Sequence, residues 1–187
     1  MNVQLIPLRT DELPEFIERA IYEGTQTLMR SKEHEEFMAA LAAARHNVAT
    51  CFQSAYINKQ LVYHIYAPSL KQNVGQLWLE QPYHPGQDST FVAYIFINEP
   101  QRRKGYAKAA LLEAETVTKN LGLNKIELYV FAFNTAAKDL YEKLGYYARE
   151  AKMWGKTTVA TRFVMTKYLN GQNDSSATTE RSSQKNI

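Results

Sequence analysis

The period of the hydrophobic positions changes repeatedly along this chain, and each change marks an element. Residues 3–9 read as a short strand. Leu13, Phe16, Ile17, Ala20, Ile21 and Met29 recur at helical spacing, with Thr10 or Asp11 as the expected N-cap and a break expected near Gly24. Phe37, Leu41, Ala44, Val48 and Phe52 mark a second helix from the thirties into the low fifties. Residues 61–66 read as a strand closed by Pro68, residues 74–79 as another with Gly75 inside it, and residues 83–88 as a turn. Residues 91–97 are almost continuously apolar, as in a strand covered on both faces. Ala107, Ala110, Leu111, Ala114, Val117 and Leu121 make the inner face of a helix predicted over 102–121, ended by Gly122. A buried strand over 126–133, a helix over 135–144 closed by Gly145, and strands over 147–153 and 160–168 complete the pattern.

The order is therefore strand, two helices, three strands, helix, strand, helix, two strands. A strand–helix–strand unit around residue 100 requires a parallel pairing with a right-handed crossover, so the fold class is α/β. A length of 187 residues suits one domain, taken as residues 1–168. Residues 169–187 are rich in Ser, Thr, Asn and Gln and are expected to form a disordered tail.

Composition narrows the function mainly by exclusion. A hydrophobic fraction of 45% with 22% charged residues is that of an ordinary globular protein. A net charge of +3 without a basic stripe gives no argument for nucleic-acid binding. The single Cys51 rules out an internal disulfide and a CxxC site, and His34, His46, His64 and His84 lack ligand spacing, so no metal is expected. No apolar run is long enough to span a membrane and the N-terminus does not read as a signal peptide, so a cytoplasmic location is expected.

Chemistry enters at residues 94–107. An apolar strand runs into Pro100, then into Arg102, Arg103, Lys104 and Gly105, and then into a helix. A helix start offers unpaired N–H groups and the positive end of a dipole, both of which suit an anion. Gly105 lets the backbone approach a phosphate closely, and the three cations add charge around that point. Cations alone at a helix start oppose the dipole, and a bound anion removes that conflict. Arg102-Arg103-Lys104-Gly105-Tyr106-Ala107 resembles the signature loop of the GNAT superfamily of acetyl-CoA-dependent N-acetyltransferases: Gln or Arg, two variable residues, Gly, one variable residue, then Gly or Ala. Residues 134–146 resemble a second segment of the same family. There Asn134 opens a helix, Tyr141 lies seven residues on, and Gly145 with Tyr146 closes it.

The resemblance implies a GNAT-type single domain, with a mixed sheet of about seven strands flanked by helices and splayed between the fourth and fifth strands. It implies transfer of an acetyl group from acetyl-CoA to a primary amine by direct attack in a ternary complex, without an acyl-enzyme. Arg102, Arg103, Lys104, Gly105, Tyr106 and Ala107 then hold the CoA diphosphate. Ile95, Phe96 and Ile97 lie along the pantetheine arm, which hydrogen-bonds to main-chain groups of Ile95 and Ile97. A backbone N–H at a bulge supplies the oxyanion site. Tyr141 holds the family position of the acid that protonates the departing thiolate. Asn134 reads equally as a helix N-cap and as a cofactor contact.

The family's strand-borne Glu base has no counterpart, because Phe91 occupies that position; Glu80 on the preceding strand is a candidate by default. A CoA-binding sensor, or a transferase for another short acyl-CoA, remains a second reading. The acceptor, a small molecule or a protein amine, carries no motif, and neither does homodimer formation.

Overall fold

A computed structural model describes residues 2–57, 61–81, 88–153 and 159–170, the side chains of 53–57 excepted. Nearly all of the expected turn at 83–88, and residues 171–187 of the expected tail, lie outside the described residues. The described elements are β1 (Gln4–Pro7), α1 (Leu13–Arg30), α2 (Phe37–Ile57), β2 (Leu61–Ala67), β3 (Gln72–Glu80) and β4 (Ser89–Ile97), followed by α3 (Tyr106–Asn120), β5 (Lys125–Phe131), α4 (Thr135–Lys143), β6 (Tyr147–Met153) and β7 (Ala160–Tyr168). One seven-stranded mixed sheet runs in the order β1-β2-β3-β4-β5-β7-β6. Only β4 and β5 are parallel; every other neighbouring pair is antiparallel.

The two faces of the sheet are covered by different helices. On one face Leu77, Leu79, Val92, Ile126, Leu128 and Met165 pack against Ala110, Leu111 and Ala114 of α3 and against Tyr141 of α4. On the other, Val62 and Trp78 meet Phe16 and Ala20 of α1, with Phe52 of α2 against the same group. The Phe16 ring stands edge-on to Trp78 at 5.9 Å, and Phe52 lies 4.6 Å from Trp78. Burial of these large rings supplies much of the force that holds α1 and α2 to the sheet.

Three local expectations give way to physical detail. α1 does not break at Gly24. A Cβ there would lie 3.4 Å from the Ala44 Cβ, so the missing side chain serves the close approach of α1 and α2. Neither Thr10 nor Asp11 caps α1. Thr10–Glu12 form a 3-10 turn leading into it; the Arg9 N–H donates to Glu12 Oε2 at 2.9 Å, and Asp11 pairs with the Arg9 guanidinium instead. α3 begins at Tyr106, not at residue 102. Gly105 has φ of +84° and Arg103 of +63°, left-handed values that a right-handed helix cannot include.

At the far end, Leu169 packs on the core and its N–H donates to the Asn124 carbonyl at 2.7 Å. Among the described residues no helix is long and apolar enough to cross a membrane, and no group of three or more His, Cys, Asp or Glu is placed to hold a metal ion.

Candidate active site

β4 is the element around which the site is built. It pairs with β5 only at Ser89↔Lys125, Thr90↔Ile126, Phe91↔Glu127 and Val92↔Leu128. Beyond that point β5 keeps its other partner, β7, through Phe131, and β4 keeps β3 through Ile97. Residues 93–97 of β4 and 129–131 of β5 therefore diverge, and each exposes a ladder edge to the gap. The separation begins at a bulge. Trp78 pairs with Tyr94 and Leu79 with Val92, which leaves Ala93 as the extra residue on β4.

The strand leads into the cationic loop. The Asn98 N–H donates to the Val74 carbonyl at 2.9 Å, and Glu99–Gln101 form a single 3-10 turn. Arg102 to Gly105 are exposed, while Tyr106 is buried among core residues. The left-handed residues Arg103 and Gly105 lie two apart, a backbone pattern of the kind that gathers N–H groups into an anion-binding concavity. Gly105 stands at the N-cap of α3 with no side chain to cap it, and the first turn carries no acidic residue. The helix start thus keeps its N–H groups and the positive end of its dipole available to an anion.

The three cations do not act alike. The Arg102 Nε donates to the Ile97 carbonyl at 3.0 Å, and its guanidinium lies 5.4 Å from the Phe96 ring centre. Arg102 therefore braces the end of β4 as well as adding charge. Lys104 donates to Gln101 Oε1 at 3.2 Å on the surface. Ile95 and Ile97 pack toward α3, whereas Phe96 stacks on Tyr94 at 6.3 Å on the opposite face. Arg19 of α1 reaches the same Phe96 ring at 5.8 Å, a contact without local sequence signal.

α4 supplies the remaining predicted residues. Asn134 Oδ1 accepts from the Ala137 N–H at 3.3 Å, which makes it the N-cap. Tyr141 is 7% exposed, and its ring lies 5.9 Å from that of Tyr146. Burial pushes its hydroxyl up to about 12, so it remains a proton donor throughout the neutral range. Behind it, Lys167 Nζ pairs with Glu115 Oε2 at 2.6 Å in the core, close to the Tyr146 ring.

On the face of the sheet that carries α1 and α2, Ala93 and Tyr94 of β4 pack with Phe16, Ala20 and Phe52. Phe91 meets the Tyr129 ring edge-on at 4.9 Å and carries no ionisable group. Across the sheet it is flanked by two carboxylates, Glu80 on β3 and Glu127 on β5. A polar tie closes the α1–α2 connection onto β7. The Glu33 side chain is fully buried and accepts from Arg162 Nη2 at 2.7 Å and Thr161 Oγ1 at 2.9 Å.

A parallel pair that separates part-way, a bulge where the separation begins, and an uncapped helix behind a cationic loop are the local features of this site. Residues 18–146 match the model of the acetyltransferase (GNAT) family, and the chain belongs to that family. It is 36% identical over 94 residues to the uncharacterized N-acetyltransferase YycN of Bacillus subtilis (strain 168), an alignment covering 49% of this chain and 60% of that one. A second B. subtilis relative, YdgE, aligns at 36% over 44% of this chain and 52% of its own. The chain thus spans between half and three fifths of the curated relatives it matches. Among solved structures, the B. subtilis acetyltransferase YycN superposes with a TM-score of 0.73 at 24% identity, covering 84% of this chain and all of that one. The spermidine N-acetyltransferase of Vibrio cholerae, solved with CoA and spermine, gives a TM-score of 0.62 at 20% identity over 90% of this chain and 96% of its own.

Proposed function

We propose that this protein transfers an acetyl group from acetyl-CoA to a small primary amine by direct attack in a ternary complex. The observation that carries this reading is the end of the β4–β5 ladder at Val92↔Leu128, immediately before the bulge at Ala93. β4, which borders this gap, leads through the cationic loop to the uncapped start of α3. A pantetheine arm has the length and the amide groups to lie in such a gap as an added strand, hydrogen-bonded to main-chain groups at Ile95 and Ile97. Phe96 contributes backbone there, since its ring turns to the other face. The diphosphate fits the N–H groups at Gly105, Tyr106 and Ala107, with Arg102, Arg103 and Lys104 around it. Asn134 caps α4, the helix that carries Tyr141.

The amine nitrogen attacks the thioester carbonyl. A main-chain N–H at the bulge stabilises the oxyanion as it develops. Tyr141 donates its proton to the leaving sulfur, a role that its buried, protonated hydroxyl suits. Cys51 does not serve as an acyl carrier, because burial pushes its thiol up to about 12 and keeps it out of the thiolate form. The small-amine reading draws on the structural neighbour that acts on spermidine.

The test is release of free thiol from acetyl-CoA against a panel of amines: polyamines, amino acids, aminoglycosides and peptide N-termini. Turnover with one class supports the reading. Tight CoA binding with no turnover on any amine would favour a sensing domain instead.

A further inference from the structure

We propose that Glu80 is the general base that takes the proton from the acceptor ammonium. The inference rests on the acetyl-transfer reading above and deepens it. A protonated amine has no lone pair, so some group near the bulge must accept its proton before attack. On β4, two residues before the bulge, stands Phe91, which has no ionisable group and cannot do so. Its two cross-strand neighbours are both carboxylates: Glu80 pairs with it on β3, and Glu127 on β5.

The two carboxylates differ in what they already hold. Glu127 Oε1 accepts from Thr166 Oγ1 at 3.0 Å and lies 3.3 Å from Arg149 Nη2, while Oε2 accepts from Ser89 Oγ at 3.0 Å. Both of its oxygens are occupied. Glu80 Oε1 is shielded from solvent and, among the described residues, has no hydrogen-bond partner. Among the described residues no ion pair involves Glu80. Its titratable neighbour is the Cys51 thiol of α2, a hydrogen-bond donor to it; β4 presents only Phe91 alongside.

A buried carboxylate oxygen without a donor is costly and calls for a reason. An ammonium entering from the α1–α2 side supplies the missing donor. The place also fits, because Glu80 follows Leu79, whose pairing with Val92 borders the bulge. Desolvation raises the Glu80 pKa toward that of a useful base, and the Cys51 hydrogen bond pulls in the opposite direction.

The ammonium loses one proton to Glu80, and the neutral amine forms a C–N bond at the acetyl carbonyl. The C–S bond breaks, its electron pair leaves with sulfur, and sulfur takes the Tyr141 proton. The second proton shed by nitrogen restores Tyr141 through solvent, and Glu80 releases its own, so one proton is lost per turnover.

The experiment uses the full chain with acetyl-CoA and the best amine of the panel, read as free thiol between pH 5 and 10. Glu80→Gln should lower kcat by about 10²–10⁴ at pH 7. It should also erase the rising acid limb, while acetyl-CoA affinity stays within about twofold. Glu127→Gln should keep that limb. Cys51→Ala removes the contact that lowers the Glu80 pKa. The base works deprotonated, so the limb should move to higher pH. An unchanged limb in Glu80→Gln, or an unmoved limb in Cys51→Ala, would overturn the assignment, as would loss of acetyl-CoA affinity in step with kcat. Absence of turnover in the parent protein overturns the acetyl-transfer reading and this one with it. Normal turnover in the parent with an intact limb in Glu80→Gln overturns this one alone.

Discussion

Gly75 and Phe96 touch through their backbones: a Cβ placed on Gly75 would lie 2.1 Å from the Phe96 carbonyl oxygen and 3.1 Å from the Ile97 Cα. β3 is thus fitted against the part of β4 that borders the gap, with Gly75 opposite Ile97. Gly75→Ala must push residues 96–97 outward, because backbone cannot yield as a side-chain tip can. The expected cost is about 2 kcal/mol or more in chemical denaturation, accompanied by weaker acetyl-CoA binding in calorimetry. A variant as stable as the parent would show that β4 can move freely there.

The cations before α3 divide between bracing and charge. Replacing Arg102 and Arg103 together by Ala should weaken CoA at least tenfold in isothermal titration, and dephosphorylated pantetheine by less than twofold. Raising salt should narrow the gap between parent and variant. Equal losses for both ligands would show that the cations do not meet the diphosphate.

Tyr141 acts in its neutral form, which is lost only as pH rises through about 12. The parent should therefore show no falling limb from this group up to pH 10. Tyr141→Phe should reduce kcat by about 10²-fold while leaving the CoA dissociation constant nearly unchanged. A kcat within a factor of three of the parent would remove Tyr141 from the chemistry.

Arg162 neutralises a Glu33 side chain that has no solvent exposure. Arg162→Ala leaves that charge buried with Thr161 its one remaining side-chain donor among the described residues, at a cost of about 3–5 kcal/mol. Thermal melting at pH 7 should show a drop of about ten degrees or more. Part of it should be recovered in Arg162→Ala/Glu33→Gln, where no charge is stranded.

Local physics made part of this protein legible in its sequence. Residues 91–97 and 134–146 carry their geometry in short spacings: an apolar strand, and an Asn three residues before the amide it caps. Where charge runs and good helix formers sit together, spacing misleads. Arg102 to Lys104 suit a helix by propensity, yet Gly105 at +84° delays its start to Tyr106. What sequence could not show is what depends on distant residues meeting. The ladder ends at Val92↔Leu128 through pairings of strands separated by a whole helix. Glu33 finds Arg162 from 129 residues away, and Arg19 reaches Phe96 across the α1–sheet interface. Glu80 looks like any surface acid until β3, β4 and α2 close around it.

The most direct test of the whole account is a crystal structure of the protein with acetyl-CoA bound. The pantetheine arm should run between residues 93–97 and 129–131. The diphosphate oxygens should lie within hydrogen-bonding distance of the main-chain amides around Gly105 to Ala107, and the Tyr141 hydroxyl within reach of the sulfur. A nucleotide bound elsewhere, with the gap beyond Val92 and Leu128 left empty, would contradict it.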